Sequence, residues 1–338
     1  MNNLSQGTLT ISLDLELYWG MRDIVSIDDY QLHLAGVRQA IPAILKLFDR
    51  YNIHATWATV GFLFCADFQQ LQAHLPQQKP SYENSELSPY QYIKNLEKNK
   101  FSQLHFCPDL IELISKYTGQ EIGTHTFSHY YCLETGQTQA EFKADLMAAI
   151  EVGRENNAAI HSLVFPRNQY NQAYLETIAD CGITSYRGNE TSAIYNDEAG
   201  DGDRLPKRML RLLDAYLNLT GHNCYLWSEL RSSYPVNIRA SRFLRPYSPK
   251  LKPLDGLRLH RITSGLKHAA KRGEIYHLWW HPHNFGVNLD ENLSFLEKIL
   301  QTYQKLNTQG KMQSFNMQEI AELSMSSQQS SQQLTVNC

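Results

Sequence analysis

The run "TLTISLDLEL" (8–17) alternates apolar residues with two carboxylates, Asp14 and Glu16. At a strand rise of about 3.3 Å per residue, positions two apart share a face, so these acids lie about 7 Å from each other. Carboxylates seldom sit in an apolar strand without a partner. On one face they are polar groups that call for a partner; a solvated sheet edge would give the same alternation. Farther on, "THTFSHYY" (124–131) holds His125 and His129 four residues apart. If helical geometry starts at His125, the two rings project to one side with Cβ atoms about 5–6 Å apart. That spacing suits two nitrogens on one zinc-like ion at about 2.0–2.1 Å each.

The same spacing recurs at His277 and His281, within "IYHLWWHP". That segment reads as a strand, where four residues span about 13 Å, so these two cannot share an ion. With thirteen histidines in the chain, spacing alone decides nothing. His281 and His283 follow an aromatic strand. A histidine against aromatic rings and near a carboxylate suits a general acid, and one of Trp279 and Trp280 can wall its pocket. Arg167, in "LVFPRNQYN", follows another strand. It can hold a carboxylate through a bidentate pair, or it is a surface arginine of a strand-to-helix loop.

These residues need a frame. Apolar strands are expected at 8–17, 53–64, 121–125, 161–166, 183–188, 274–282 and in "MQSFNM". Helices are expected at 36–52 (with Pro42 moving the start towards Ala40), 108–119, 171–182, 291–310 and "QEIAELS". "TQAEFK" opens a further helix with a capping box, Thr138 and Glu141. Strand–helix–strand order points to a parallel α/β fold, in which active sites gather at the C-terminal ends of strands. Two irregular stretches, 66–107 and 189–265, read as insertions decorating one barrel domain of 1–323. The Ser/Gln-rich end, 324–338, reads as a disordered tail.

The totals are ordinary. The chain has 338 residues, 42% of them hydrophobic, and 31 Lys and Arg against 34 Asp and Glu, a formal charge of −3. Bulk charge therefore gives no sign of a nucleic-acid or membrane-surface partner. No apolar run approaches the ~18–20 residues of a membrane span. The first twenty residues lack the basic head and apolar core of a secretory signal. Six scattered cysteines without a CxxC pair read as free thiols. A cytoplasmic location is the expectation.

In order along the chain, these segments resemble the polysaccharide deacetylase family (carbohydrate esterase family 4, the NodB-homology domain). "HTFSH" matches its H-[ST]-x-x-H metal motif, "LWWH" its late L-x-x-H motif, and "FPRN" loosely its arginine motif. "RPYS" (245–248) looks more like the usual arginine motif but falls inside an irregular stretch, so Arg167 is preferred. The first motif, D-L-E, departs from the family's adjacent aspartates. The resemblance spans about 8–323. It implies a distorted (β/α) barrel of about seven parallel strands that hydrolyses the amide of an N-acylated amino sugar. The absent signal suggests a nucleotide- or lipid-linked precursor of surface polysaccharide.

The resemblance further implies a divalent metal, zinc being expected, on Glu16, His125 and His129. Asp14 is then the base, Arg167 its orienting partner and His281 the acid. Asp214 would pair with His281, and a backbone N–H near Asn168 would hold the oxyanion. Trp280, Asn168 and Asp214 are placed around the substrate. Asp14 and Glu16 could exchange roles. Two other readings stay open: a glycoside hydrolase on a related barrel, needing a distant carboxylate such as Asp201 or Asp203, and an inactive carbohydrate-binding relative.

Overall fold

The computed structural model describes residues 5–94, 102–195 and 205–336. Among these residues ten strands form one sheet: β1 Gly7–Leu15, β2 Ala55–Thr59, β3 Gln120–Thr124, β4 Ser162–Val164, β5 Ser185–Arg187, β6 Tyr225–Leu226, β7 Val236–Asn237, β8 Arg242–Phe243, β9 Glu274–Trp280 and β10 Met312–Ser314. Every pairing is parallel except β6 on β9. The order β9-β1-β2-β3-β4-β5-β7 curls into a barrel.

The closing stave is one extended segment, 236–244. Its first half donates from Val236, Ile238 and Ala240 to the carbonyls of Thr184, Tyr186 and Gly188. Its second half donates from Ser241 and Leu244 to His277 and Trp279. Seven staves thus run round the barrel, as the α/β expectation had it. β6 and β10 pair with the N-terminal ends of β9 and β1, away from the site.

Strand β1 lies at the centre. All nine of its residues are buried, Leu9, Ile11, Leu13 and Leu15 on one face and Thr8, Thr10, Ser12 and Asp14 on the other. The helix Ile27–Tyr51 covers it, starting earlier than the sequence pattern suggested. Ser26 caps it by accepting from the Asp29 amide (3.2 Å), and Pro42 sits inside the helix. Ile27, Tyr30 and Leu34 carry the core-facing spacing of Val37 and Ile41 back through these two further turns. The capping box at Thr138 and Glu141 is present.

Two expectations are corrected. The stretch 189–265 is not wholly an insertion, because it supplies the closing stave and the start of the helix Asp255–Arg272, which packs against β1 and β9. Its strands are two residues long, too short to show a period. The tail also differs from its compositional reading. The last helix runs Met317–Val336, with no Pro or Gly to stop it; residues 337–338 lie outside the described residues. No helix among the described residues is long and apolar enough to cross a membrane.

Candidate metal and hydrolytic site

The polar residues gather at the C-terminal end of the barrel. β1 ends at Leu15, so Glu16 stands just past the strand, before a tight turn in which Leu17 takes φ 47°. Its carboxylate fits because residue 20 is glycine: a Cβ there would lie 2.1 Å from Glu16 Cδ.

The segment "HTFSH" is an irregular loop, not the start of a helix. Thr126 and His129 both take left-handed φ, 62° and 59°. Asp145, buried on the helix Gln139–Glu155, fastens the loop by accepting from the Phe127 amide (2.7 Å) and from the Ser128 amide and hydroxyl. The Tyr130 amide donates to Thr126 Oγ1 (2.7 Å). Gly61 lets the loop after β2 pack beneath it, since a Cβ there would meet Phe127 at 2.4 Å. These bonds hold backbone conformations that cost about 1–3 kcal/mol each.

The outcome is a convergent donor set. One atom each from Glu16, His125 and His129 lies within 4.8 Å of the others. Glu16 Oε2 is 3.4 Å from His125 Nε2 and 3.1 Å from His129 Nε2. A tetrahedral ion with bonds of about 2.0–2.1 Å separates its donor atoms by about 3.3 Å, so these residues fit a zinc-sized cation. His125 Nδ1 donates to the Val164 carbonyl (2.9 Å), which leaves the Nε2 lone pair facing Glu16. Burial holds His129 neutral, its pKa lowered to about 4 against the pull of Glu16. Burial alone would raise Glu16, but His281, His125 and His129 outweigh it and keep the carboxyl ionised.

Asp14 is buried beside this set. Its partner is Arg187, at the end of β5, which donates Nη1 to Oδ1 and Nη2 to Oδ2, both at 2.7 Å. Burial would raise the Asp14 pKa, yet Arg187 first, with His125 and His281, brings it below the usual value. Arg187 is itself tied down by Ser12 Oγ (2.9 Å) and Asn168 Oδ1 (3.0 Å), and it stacks 4.2 Å above the Trp279 ring. Ser12 is also bonded to His277 Nε2 (2.8 Å), so His277 lies beneath the site as a structural support.

Facing both carboxylates is His281, whose Nε2 stands 3.7 Å from Asp14 Oδ2 and 3.6 Å from Glu16 Oε1. Its side chain is 23% exposed while those two are 3% and 5%, so of the three it is the group open to an incoming molecule. A cavity of about 180 Å³ opens beside it, lined in part by Asn168, Asn189, Glu190, Arg245, Trp279 and His281.

Four expected placements are corrected. Arg167 pairs with Asp23 (2.5 Å) and stacks on Tyr131; Arg187 takes the Asp14 carboxylate instead. The strand-end logic that picked Arg167 would have picked "SYRG" had it been applied to β5. Trp280 is in the core against Phe48 and Phe285, because strand alternation turns it away, and Trp279 lines the cavity. Asp214 does not pair with His281. It is buried against Arg242, Arg261, Tyr195 and Thr220. The Asn168 amide is spent on the Phe165 carbonyl (3.0 Å), leaving its side chain beside the cavity.

A barrel whose strand ends bring a Glu-His-His donor set up against an arginine-held aspartate and a histidine has the make-up of a metal-assisted hydrolase. A family model described as polysaccharide deacetylase matches residues 25–186. The match covers just under half of the chain and marks that segment as similar to the family. The matched segment contains His125 and His129; Asp14, Glu16, Arg187 and His281 lie outside it.

Among solved structures, a Mycobacterium smegmatis protein assigned to the polysaccharide deacetylases superposes with a TM-score of 0.59 at 14% identity, over 96% of this chain and 92% of its own. One from Pseudomonas aeruginosa PAO1 gives 0.53 at 11%, over 95% and 92%. The Puue allantoinase gives 0.54 at 10%, over 95% and 91%. These likenesses establish the fold, and the fold hosts different substrates. No curated protein matches the sequence.

Proposed function

We propose that this protein is a metal-dependent N-deacetylase acting on an acylated amino sugar, a cytoplasmic precursor of surface polysaccharide, with zinc as its metal. The observation that carries the reading is the convergence of Glu16, His125 and His129 beside an aspartate gripped by Arg187. A divalent ion on those three residues would polarise an amide carbonyl and acidify a water. Asp14, kept ionised by Arg187, takes the proton from the attacking water. Arg187 fixes the direction of that carboxylate through two bonds, which limits the base to one approach. As the carbon–nitrogen bond breaks, His281 gives a proton to the departing amine, the one group of the three that opens onto the cavity. Trp279 and the Asn168 side chain line the space where a sugar ring would lie.

The test is acetate release from N-acetylated amino sugars by zinc-loaded protein, before and after chelation. Release that stops on chelation and returns with zinc is expected. Absence of both bound metal and acetate release would sink the reading.

A further inference from the structure

The helix Leu205–Asp214 is amphipathic in the reverse of the usual sense. At 100° per residue, Leu212, Met209, Leu213 and Leu210 span an arc of about 160°. A surface helix ordinarily turns such an arc inward. Here all four are exposed, and Leu217 and Leu219 continue the patch past the helix end, the six ranging from 37% to 57% exposed. The inward side carries charge instead: Lys207 and Arg211 are half-buried and Asp214 is buried.

The neighbouring helix adds to the patch. Arg261 of Asp255–Arg272 donates from Nε to the Asp214 carbonyl (3.2 Å), and Leu257, one turn before Arg261, is exposed, as is Leu254. Eight of the thirteen exposed large apolar residues among those described thus belong to this one neighbourhood.

The charge of the same region decides what covers it. Residues 205–272 hold fourteen Lys and Arg against three Asp and Glu, in a chain that totals 31 against 34; Arg242, Arg258 and Arg261 of these are buried, and the face 205–219 and 250–257 itself carries five Lys and Arg against two Asp. Counting the acidic stretch 196–204 just upstream, the excess is still fifteen to seven. The bulk charge of −3 hides this asymmetry. Lys250 and Lys252 are exposed just before Leu254. Apolar side chains pointing out, rimmed by cations, are the pattern of a helix that lies in a membrane interface of anionic headgroups.

From this we infer that the face built by 205–219 and 250–257 docks onto an anionic lipid surface. Arg211 and Ala215 of the same element line the cavity beside His281, so docking brings the mouth of the site to the membrane plane. Resting on the deacetylase reading, this makes the substrate an amino sugar carried on a lipid rather than on a soluble nucleotide.

Co-sedimentation with vesicles tests the docking independently of activity. The full chain is expected to pellet with vesicles containing phosphatidylglycerol and to stay in solution with phosphatidylcholine alone. The double variant L210S/L213S, at exposed positions, should weaken that binding at least about tenfold. It should keep its melting temperature and its acetate release from a soluble N-acetyl sugar. Equal binding to both vesicles, binding to neither, or a concentration-dependent dimer that the double variant abolishes would each overturn the inference. Vesicle binding by a protein that releases no acetate would leave the docking standing and remove the deacetylase reading.

Discussion

Two segments of this chain carry the same spacing of histidines, and the fold uses them differently. His125 and His129 follow β3 on a loop with two left-handed residues, and both rings turn to one carboxylate, Glu16. His277 and His281 are separated by extended strand. The first is sealed beneath the site on Ser12, and the second emerges past Trp280 to face Asp14 and Glu16. Four residues of strand cannot fold back on themselves, whereas a loop fastened by Asp145 can. The lesson is that backbone path, not spacing, makes a ligand pair.

This contrast can be broken most sharply at the metal. His129→Ala should lose the bound ion and acetate release together, while His277→Ala should keep metal stoichiometry; elemental analysis of purified variants decides it. Asp14→Asn is the next largest effect, a fall in kcat of about 10²–10⁴-fold with metal retained. His281→Ala should cost about 10²-fold, also with metal retained. Metal loss in that variant would mean that His281 is a ligand and that the two pairs are less different than argued.

Stability distinguishes the two arginines. Removing Arg187 leaves Asp14 buried and unpaired, a cost of about 3–5 kcal/mol read by denaturant unfolding. Arg167, one-third exposed on Asp23, should cost at most about 1 kcal/mol when changed to Ala.

A further effect on stability is in pH. Burial lowers His129 to about 4 and His277 and His283 to about 3, from an ordinary 6.5. Each is neutral in the fold but takes a proton in the unfolded chain below about 6.5, so the unfolded state binds more protons there. Metal-free protein should therefore lose melting temperature as pH falls from 6.5 towards 4. His277→Gln should shallow that slope.

Much of the site was legible because its residues stand at strand ends, where alternation gives way to polar types. Asp14, Glu16, His125, His129 and His281 are all of this kind, and the structure brings them together. Arg187 sits at a strand end too, yet Arg167 was more conspicuous beside a proline and an asparagine. Trp279 and Trp280 are adjacent and chemically alike, so only the facing of β9 separates them. The closing stave was illegible because a strand of two residues carries no period.

Sequence by itself determined most strands and helices outside 189–265 and the order of the polar residues along the barrel, since both follow from local periodicity and residue type. Tertiary structure alone decided which arginine meets Asp14, 173 residues away, and which tryptophan faces the cavity. It also turned the leucines of 205–219 outward. Those choices depend on how far the sheet curls and on which chains it brings side by side, and no window of adjacent residues contains that information.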